Sequence, residues 1–354
     1  MTKHIYAANG IRLVLLTCIF LFAGGNGLVS LSAQVKVKAV SRPERQDDMT
    51  LENEHLAFRL YSYTTQKIEK NSYGYDIFNK RTNDLVLDQL YSLQCDGQMW
   101  ATHSRLRKMG QRDLADDLYN AFCYHVDHGV GMDCYKVGHT LGAGACAILT
   151  NINKVKGKKS FAGAAFHHID CFEKAEIVES DDSHAVVKLV FPKREVNGDS
   201  IVEERILTLC AGEKMVKSVV TYHGQTKPLD VCAGIVVHKE NADGYVIDEK
   251  NRLIAVEDFG DPEIYARKYR AKQDPDKGKT YIGVYVPDKK AKCFFLQDEK
   301  TPGGVGHVVS AVTLRPGQSF TYYFGNAWNR NPNVGIGNME QWTAFLQSFI
   351  SAIS

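Results

Sequence analysis

Residues 124–144 hold the densest group of chemically active side chains in the sequence. The segment contains three histidines, two aspartates, two tyrosines and one lysine among five glycines. Glycine permits backbone turns that bring polar side chains together, and such loops often carry function on a rigid scaffold. The candidate functional side chains are those of His125, Asp127, His128, Asp133, Tyr135, Lys136 and His139.

Three chemistries suit this segment. Histidine titrates near neutral pH, so His125 or His128 is a candidate general acid or base, with Asp127 or Asp133 to orient it. Imidazole and carboxylate ligands also suit zinc, manganese or iron, so the same four residues are a candidate divalent-metal site. The usual zinc spacing is missing, and the sequence requires no cofactor. Tyrosine rings beside polar groups suit a sugar, and a polar turn that only satisfies its own backbone is the structural alternative.

Further candidates lie in other parts of the chain. Arg45 belongs to a charged run near the N-terminus, and Arg59 lies in the strand-like segment that follows. His238 and Glu240 end an apolar run and share one face, because side chains alternate along a strand. Trp328 closes the last predicted strand, where it is either a platform for sugar stacking or a filler of the core.

The elements that must position these residues are mostly strands. Runs rich in Val, Ile, Thr, Tyr and Phe are separated by turn residues, and several alternate apolar with polar. Asn197-Gly198 between two such runs indicates a hairpin, whereas residues 103–122 and 339–350 have helical spacing. The pattern predicts an all-β, mostly antiparallel sandwich with a short helical insertion and a C-terminal helix.

Residues 1–33 have the pattern of a secretory signal. A basic start is followed by the apolar run 13–22 and by small residues that end at Ala33. The run has about half of the roughly 20 residues that a membrane-spanning helix needs. We therefore expect cleavage, no membrane insertion, and a single β-sandwich domain over residues 34–354 in the periplasm or outside the cell.

The predicted mature chain carries no net charge. The sequence has 43 basic and 41 acidic residues, and the signal removes Lys3 and Arg12 but no acidic residue. A nucleic-acid partner demands a basic footprint, so this balance argues against one, and it also argues against electrostatic membrane binding. The cysteines are scattered, and several lie in apolar runs, which favours buried thiols over a dense disulfide framework.

Three blocks of the sequence resemble a known family. They are residues 43–59 with Glu52-Asn53 and Ala57-Phe-Arg59, residues 125–144, and Tyr323-Phe-Gly-Asn-Ala-Trp328. On these blocks the chain resembles the domain of unknown function 4861, exported bacterial proteins encoded in polysaccharide-utilisation loci, often beside enzymes of pectin breakdown. The resemblance implies a twisted antiparallel supersandwich, similar to galactose-mutarotase-like domains. It also implies a carbohydrate ligand, in particular an acidic plant sugar.

Together these observations predict an exported carbohydrate-active protein whose partner is an oligosaccharide or polysaccharide. The main interpretation is an enzyme similar to glycoside hydrolases that acts on pectin-type oligosaccharides containing uronic acid. In it, His128 is the preferred acid/base and Asp133 orients it, while Lys136 or Arg59 anchors the substrate carboxylate. The other predicted substrate contacts are Arg45, Tyr135, His139, His238 and Trp328.

The reaction remains open at this stage. Hydrolysis needs two carboxylates that flank the bond, and Asp127 and Glu240 are the candidates. Elimination from a uronate needs a base, such as a histidine or Tyr135, and a cation that neutralises the carboxylate. Mutarotation needs one acid and one base, such as His128 and Glu240. A non-catalytic sugar-binding module is the alternative class of protein.

Overall fold

A computed structural model describes most of the chain after the predicted signal. The described residues are 36–70, 72–155, 158–260, 277–297 and 303–353, without the side chains of 154, 155 and 158. The predicted signal 1–33 and most of the charged segment 261–279 lie outside the described residues.

Strands dominate the described residues, as the runs of β-branched and aromatic residues predict. They are β1 (Val37–Arg42), β2 (Asp48–Asn53), β3 (Ala57–Leu60), β4 (Tyr75–Lys80), β5 (Gly131–Asp133), β6 (Ala143–Thr150), β7 (Asn153–Val155), β8 (Lys158–Ser160), β9 (Ala165–Phe166), β10 (Lys174–Ser180), β11 (His184–Val190), β12 (Arg194–Val196), β13 (Asp199–Cys210), β14 (Val216–His223), β15 (Leu229–His238), β16 (Tyr245–Asp248), β17 (Leu253–Asp258), β18 (Thr280–Tyr285), β19 (Lys292–Gln297), β20 (Gly304–Leu314) and β21 (Phe320–Trp328). The helices are α1 (Tyr63–Glu69), α2 (Leu87–Gln94), α3 (Gly97–Lys108), α4 (Arg112–Phe122) and α5 (Met339–Ile353).

Three main sheets form from these strands, and the pairs within them are antiparallel. The first sheet has the order β1-β2-β3-β4-β5, and the third has the order β19-β20-β15-β6-β9. The second has the order β10-β11-β13-β14-β21-β18-β17-β16, with β12 on β13, and β7 and β8 form a separate hairpin. This arrangement confirms the prediction of a mostly antiparallel β-sandwich.

One core joins the three sheets. Phe324 of the second sheet contacts Phe58 and Tyr75 of the first sheet, at ring distances of 5.1 and 5.0 Å. Gly144 of the third sheet lies so close that a Cβ there would be 2.6 Å from the Cβ of Phe324. The buried strands β6 and β15 of the third sheet complete this core, which fixes the loops at their ends.

The helices confirm one prediction and correct another. The C-terminal helix α5 packs Trp342, Leu346 and Ile350 onto the second sheet. The insertion is not one helix over residues 103–122, because Gly110 at φ +78° separates α3 from α4. Among the described residues, no helix is long and apolar enough to cross a bilayer.

Candidate active site

A short strand holds the segment 124–144 against the first sheet. β5 pairs with β4, with Met132 opposite Asn79. Gly131 begins β5 at φ +119°, and a Cβ there would lie 1.9 Å from the carbonyl oxygen of Asn79. Only glycine permits this approach. Gly131 therefore allows β5 to pair with β4, and this pairing positions the polar side chains that follow.

A buried arginine gathers the first group of polar side chains. Arg59 on β3 donates from Nη2 to the hydroxyl of Tyr61 and to Oδ2 of Asp133, both at 2.8 Å. Its Nη1 donates to the hydroxyl of Tyr124 at 2.9 Å, and its Nε donates to Oδ2 of Asp76 at 3.0 Å. We call these five residues the Arg59 cluster, and all of them are buried.

The Arg59 cluster places two carboxylates against one guanidinium away from water. Burial, together with the charge of Asp133, raises the pKa of Asp76 to about 6 in spite of Arg59. Burial lowers the pKa of Arg59, but the surrounding tyrosines and carboxylates outweigh this effect and hold that pKa well above its ordinary value. The guanidinium is therefore permanently charged and holds the cluster together.

His125 and Arg45 lie at the rim of the Arg59 cluster. The Nδ1 of His125 donates to the backbone carbonyl of Asp133 at 2.9 Å and lies 3.5 Å from its carboxylate. Burial lowers the pKa of His125 to about 4, so its ring is neutral near neutral pH. Arg45 pairs with Glu69 at 2.5 Å. The side chains of His125 and Arg45 are 21% and 16% exposed, so they are more accessible than the buried cluster that they contact.

A second group of polar side chains lies where two strands end. His238 closes β15 and Asp258 closes β17, and the Nδ1 of His238 donates to Oδ2 of Asp258 at 2.5 Å. The Nε2 of His238 and the hydroxyl of Tyr135 are buried, and neither has a hydrogen-bond partner among the described residues. The two rings meet edge to face at 5.9 Å. We call His238, Asp258 and Tyr135 the His238 site.

The electrostatics of the His238 site suit proton transfer. Burial lowers the pKa of His238, but the charge and hydrogen bond of Asp258 outweigh it and raise the pKa above its ordinary value. Burial raises the pKa of Tyr135 well above its ordinary value, and the charges of Asp258 and Asp76 add to this effect. Tyr135 is therefore protonated near neutral pH, next to a histidine whose pKa is raised. These are the properties of a general acid and a general base.

Three charged or titratable side chains surround the His238 site. Burial, with the charge of His238, lowers the pKa of His307 to about 3, and its Nε2 accepts a backbone N–H at 3.2 Å. Glu240 raises and Lys136 lowers the pKa of His238, so both lie within electrostatic reach. The Nζ of Lys136 lies 3.6 Å from the position of a Cβ at Gly303. A cation and a carboxylate thus lie within electrostatic reach of the dyad formed by His238 and Asp258.

Comparison with known proteins identifies the family. A family model described as a domain of unknown function, DUF4861, matches residues 24–354. The chain belongs to this family. This DUF4861 protein is also 30% identical over 113 residues to Uncharacterized protein P7 of Formosa agariphila, a match that covers 30% of this chain and 23% of that protein. The match therefore spans about a quarter of the length of that relative.

Two solved structures have partial similarity to this DUF4861 chain. One is a mutant of the heparan sulfate lyase HepC from Pedobacter heparinus, with 8% identity, 51% of this chain and 24% of that chain covered, and a TM-score of 0.30. The other is 4-alpha-glucanotransferase from Thermococcus litoralis, with 6% identity, 83% and 39% covered, and a TM-score of 0.30. Similarity at this level does not assign a reaction.

The structure divides the predicted site residues into the two groups described above. Arg45, Arg59, His125 and Asp133 meet at the Arg59 cluster, whereas Tyr135, Lys136, His238 and Glu240 meet at the His238 site. Their convergence follows from the pairing of β5 with β4 and from the ends of β15 and β17.

Two residues of the glycine-rich segment have other roles. Asp127 pairs with Arg81 and accepts the backbone N–H groups of Gly129 and Gly131 at 2.9 and 3.1 Å, so it shapes the loop. His128 is exposed, and its Nε2 lies 3.1 Å from a backbone carbonyl. The prediction that Asp133 orients His128 is therefore corrected, because His125 is the histidine placed beside Asp133.

Trp328 and His139 are the last two predicted substrate contacts. Trp328 is 2% exposed, and its Nε1 donates to the carbonyl of Lys277 at 2.8 Å. Of the two roles that the sequence leaves open for Trp328, this burial favours the filler of the core, because stacking on a sugar needs an accessible ring face. His139 is exposed and stacks on Tyr73 at 4.0 Å.

The candidate metal ligands do not converge in the described part of the chain. There, the group whose ligand atoms lie within 4.8 Å of one another is Glu179, Asp181 and His184 on an exposed turn. In the predicted set, Asp127 instead pairs with Arg81 and His128 lies on the loop. His125 and Asp133 lie at the Arg59 cluster.

Sequence reasoning missed Asp76, Tyr61 and Asp258. Asp76 is a lone acidic residue in the otherwise apolar start of β4, and Asp258 ends an apolar run as His238 does. A charged residue in a buried strand almost always has a partner, so Asp76 and Asp258 could have been recognised from the sequence. The partners of these aspartates could not be recognised, because they depend on strands that pair over long sequence separations.

Proposed function

We propose that this DUF4861 protein is an exported enzyme that transfers protons on oligosaccharides containing uronic acid, with His238 and Tyr135 as its acid–base pair. The observation that carries the proposal is the His238 site. There, a histidine held by Asp258 at 2.5 Å packs edge to face against a protonated tyrosine, and its Nε2 has no hydrogen-bond partner among the described residues. The Nε2 of His238 and the hydroxyl of Tyr135 both lack a hydrogen-bond partner among the described residues, and a substrate would supply the missing partners.

Each residue of the site has a role that follows from its contacts. Asp258 accepts the Nδ1–H of His238, which fixes the tautomer and leaves the Nε2 lone pair as the base. The hydroxyl of Tyr135 is the acid, because its pKa lies well above its ordinary value. Lys136 supplies a positive charge within electrostatic reach of His238, and this charge would attract a substrate carboxylate.

The arrangement favours elimination from a uronate. The Nε2 of His238 removes the proton from the carbon next to the carboxylate, and that electron pair forms a carbon–carbon double bond. The bond from the adjacent carbon to the glycosidic oxygen breaks, and this oxygen takes the proton of Tyr135. Lys136 offsets the negative charge that develops on the carboxylate. Atoms and charges balance without a cofactor.

Hydrolysis has less support from the geometry. A hydrolase flanks its bond with two available carboxylates, but Asp258 is held by His238 and Asp127 is held by Arg81. Asp76 and Asp133 are also unavailable, because Arg59 binds both. Of the carboxylates considered, Glu240 alone remains available near the dyad of His238 and Asp258.

The test is incubation of the mature protein with a panel of pectin-derived oligosaccharides. Mass spectrometry distinguishes elimination, in which the product masses sum to that of the substrate, from hydrolysis, in which they gain one water. The proposal predicts products with a new double bond. Products that have gained water would refute elimination, and binding without any product across the panel would leave a non-catalytic sugar-binding module.

A further inference from the structure

A basic cavity lies at the opposite end of β15 and β20 from the His238 site. Its volume is about 400 Å³, and it is lined by Lys159, Lys290 and Lys292 together with Phe161 and residues 311–313. None of these residues belongs to the Arg59 cluster or to the His238 site.

The register of the two strands gives the separation of the cavity from the His238 site. Asp230 pairs with Thr313 at one end, and His238 pairs with Gly304 at the other. At a rise of about 3.3 Å per residue, the two ends are about 26 Å apart. A short oligosaccharide bound at one end cannot reach the other, whereas a polymer can contact both.

Three of the residues that line this cavity are lysines. Lys159 pairs with Asp230 and donates to the hydroxyl of Thr313 at 2.7 Å. Lys292 lies 3.7 Å from Glu249, but both side chains are about 60% exposed, so solvent screens the pair. Lys290 adds a third ammonium. In sequence, residues 153–160 around Lys159 carry four lysines and no acidic residue.

The other surfaces of the cavity suit a sugar ring. Phe161 stacks on Phe294 at 4.6 Å and 23°, which holds its ring in place as a rigid apolar face. The carboxylate of Asp230 accepts the hydroxyl of Thr313 at 2.5 Å. Such a carboxylate also accepts sugar hydroxyls.

We infer that this cavity binds an anionic polysaccharide and holds it while its chain extends toward the His238 site. The lysines pair with the carboxylates or sulfates of the polymer, and Phe161 contacts the apolar face of a ring. Binding itself follows from the cavity alone. The role in holding substrate rests on the function proposed for His238.

The test compares the double variant Lys290→Gln/Lys292→Gln with the control Lys174→Gln/Lys217→Gln. The control removes two exposed lysines from the second sheet and has the same net charge. Polygalacturonate binding is measured at low and high salt in both variants and in the starting protein. We expect the cavity variant to lose about tenfold in affinity at low salt, with a smaller loss at high salt, because the contacts are screened charges.

Neutral galactan and a DNA oligomer of matched charge complete the binding test. Equal loss for galactan would show that charge is not the basis of binding, and equal affinity for DNA would show a general polyanion surface. Either result overturns the inference, as does unchanged binding of polygalacturonate by the cavity variant.

Turnover separates this inference from the proposed function. If the protein cleaves uronate oligosaccharides, the cavity variant raises KM for the polymer and leaves KM for short fragments and kcat unchanged. Without any turnover, the proposed function fails while the binding result still decides the cavity. An equal rise of KM for short fragments would contradict a separate polymer-binding site.

Discussion

Replacement of Arg59 by methionine tests the Arg59 cluster in detail. The variant Arg59→Met keeps much of the side-chain volume but leaves Asp76 and Asp133 buried without their cation. It also removes the donors to the hydroxyls of Tyr61 and Tyr124. Loss of one partner from a buried ion pair costs about 3–5 kcal/mol, a large share of the roughly 5–15 kcal/mol by which a domain is stable.

The loss of unfolding free energy in Arg59→Met should become smaller as pH falls. The pKa of Asp76 is about 6 when folded, above its ordinary value. Its contribution to stability is therefore present below the unfolded pKa and lost as pH rises through about 6. Removal of Arg59 raises the folded pKa further, so the variant should approach the stability of the wild type as pH falls from about 8 to about 5.

Urea denaturation, followed by circular dichroism at several pH values, measures this effect. The control is Arg107→Met, which removes a largely exposed pair with Asp116 and should cost less than about 1 kcal/mol. If Arg59→Met does not fold at neutral pH, Arg59→Met/Asp76→Asn should fold better, because one uncompensated charge is gone. A loss below about 1 kcal/mol for Arg59→Met, or one that grows as pH falls, would refute the reasoning.

Three further predictions concern single residues. The acid limb of the pH profile of turnover should lie above the ordinary histidine pKa. Asp258→Asn should shift this limb to lower pH and reduce kcat at least about 100-fold. A limb that does not move in this variant would exclude His238 as the base. Trp328→Ala should cost about 3–5 kcal/mol of unfolding free energy in thermal or urea denaturation, with sugar affinity unchanged in the folded fraction, whereas a selective loss of affinity would restore its role as a platform. Gly131→Ala should destabilise the protein by more than about 1 kcal/mol, because its Cβ would overlap a carbonyl of β4; hydrogen exchange should then show faster exchange at β5, and unchanged protection there would contradict this packing.

The sequence predicts the fold class because the strand pattern is local. Alternation in β13, whose residues are alternately buried and partly exposed, is visible without any knowledge of its partners. The helical insertion is harder to predict. The run 103–122 has helical spacing throughout, but Gly110 ends the first helix, and Met109 and Leu114 are 65% and 55% exposed.

The candidate site is only partly predictable, because its pairs join residues distant in sequence. The glycine-rich segment points to His125 and Asp133, but the partner of Asp133 is Arg59, on a strand that reaches it through β4. His238 is recognisable at the end of an apolar run. Asp258, which gives the histidine its chemistry, is brought to it by the packing of β17 against β15, and no local pattern encodes that contact.

The central claim is that His238, and not His128, performs proton transfer. The most direct measurement compares His238→Gln with His128→Gln for binding and turnover of pectin-derived uronate oligosaccharides. We predict that His238→Gln binds the oligosaccharide but loses turnover by at least about 100-fold, while His128→Gln, which changes an exposed side chain, turns over at the wild-type rate. Turnover that persists in His238→Gln, or that is lost in His128→Gln, would contradict the account.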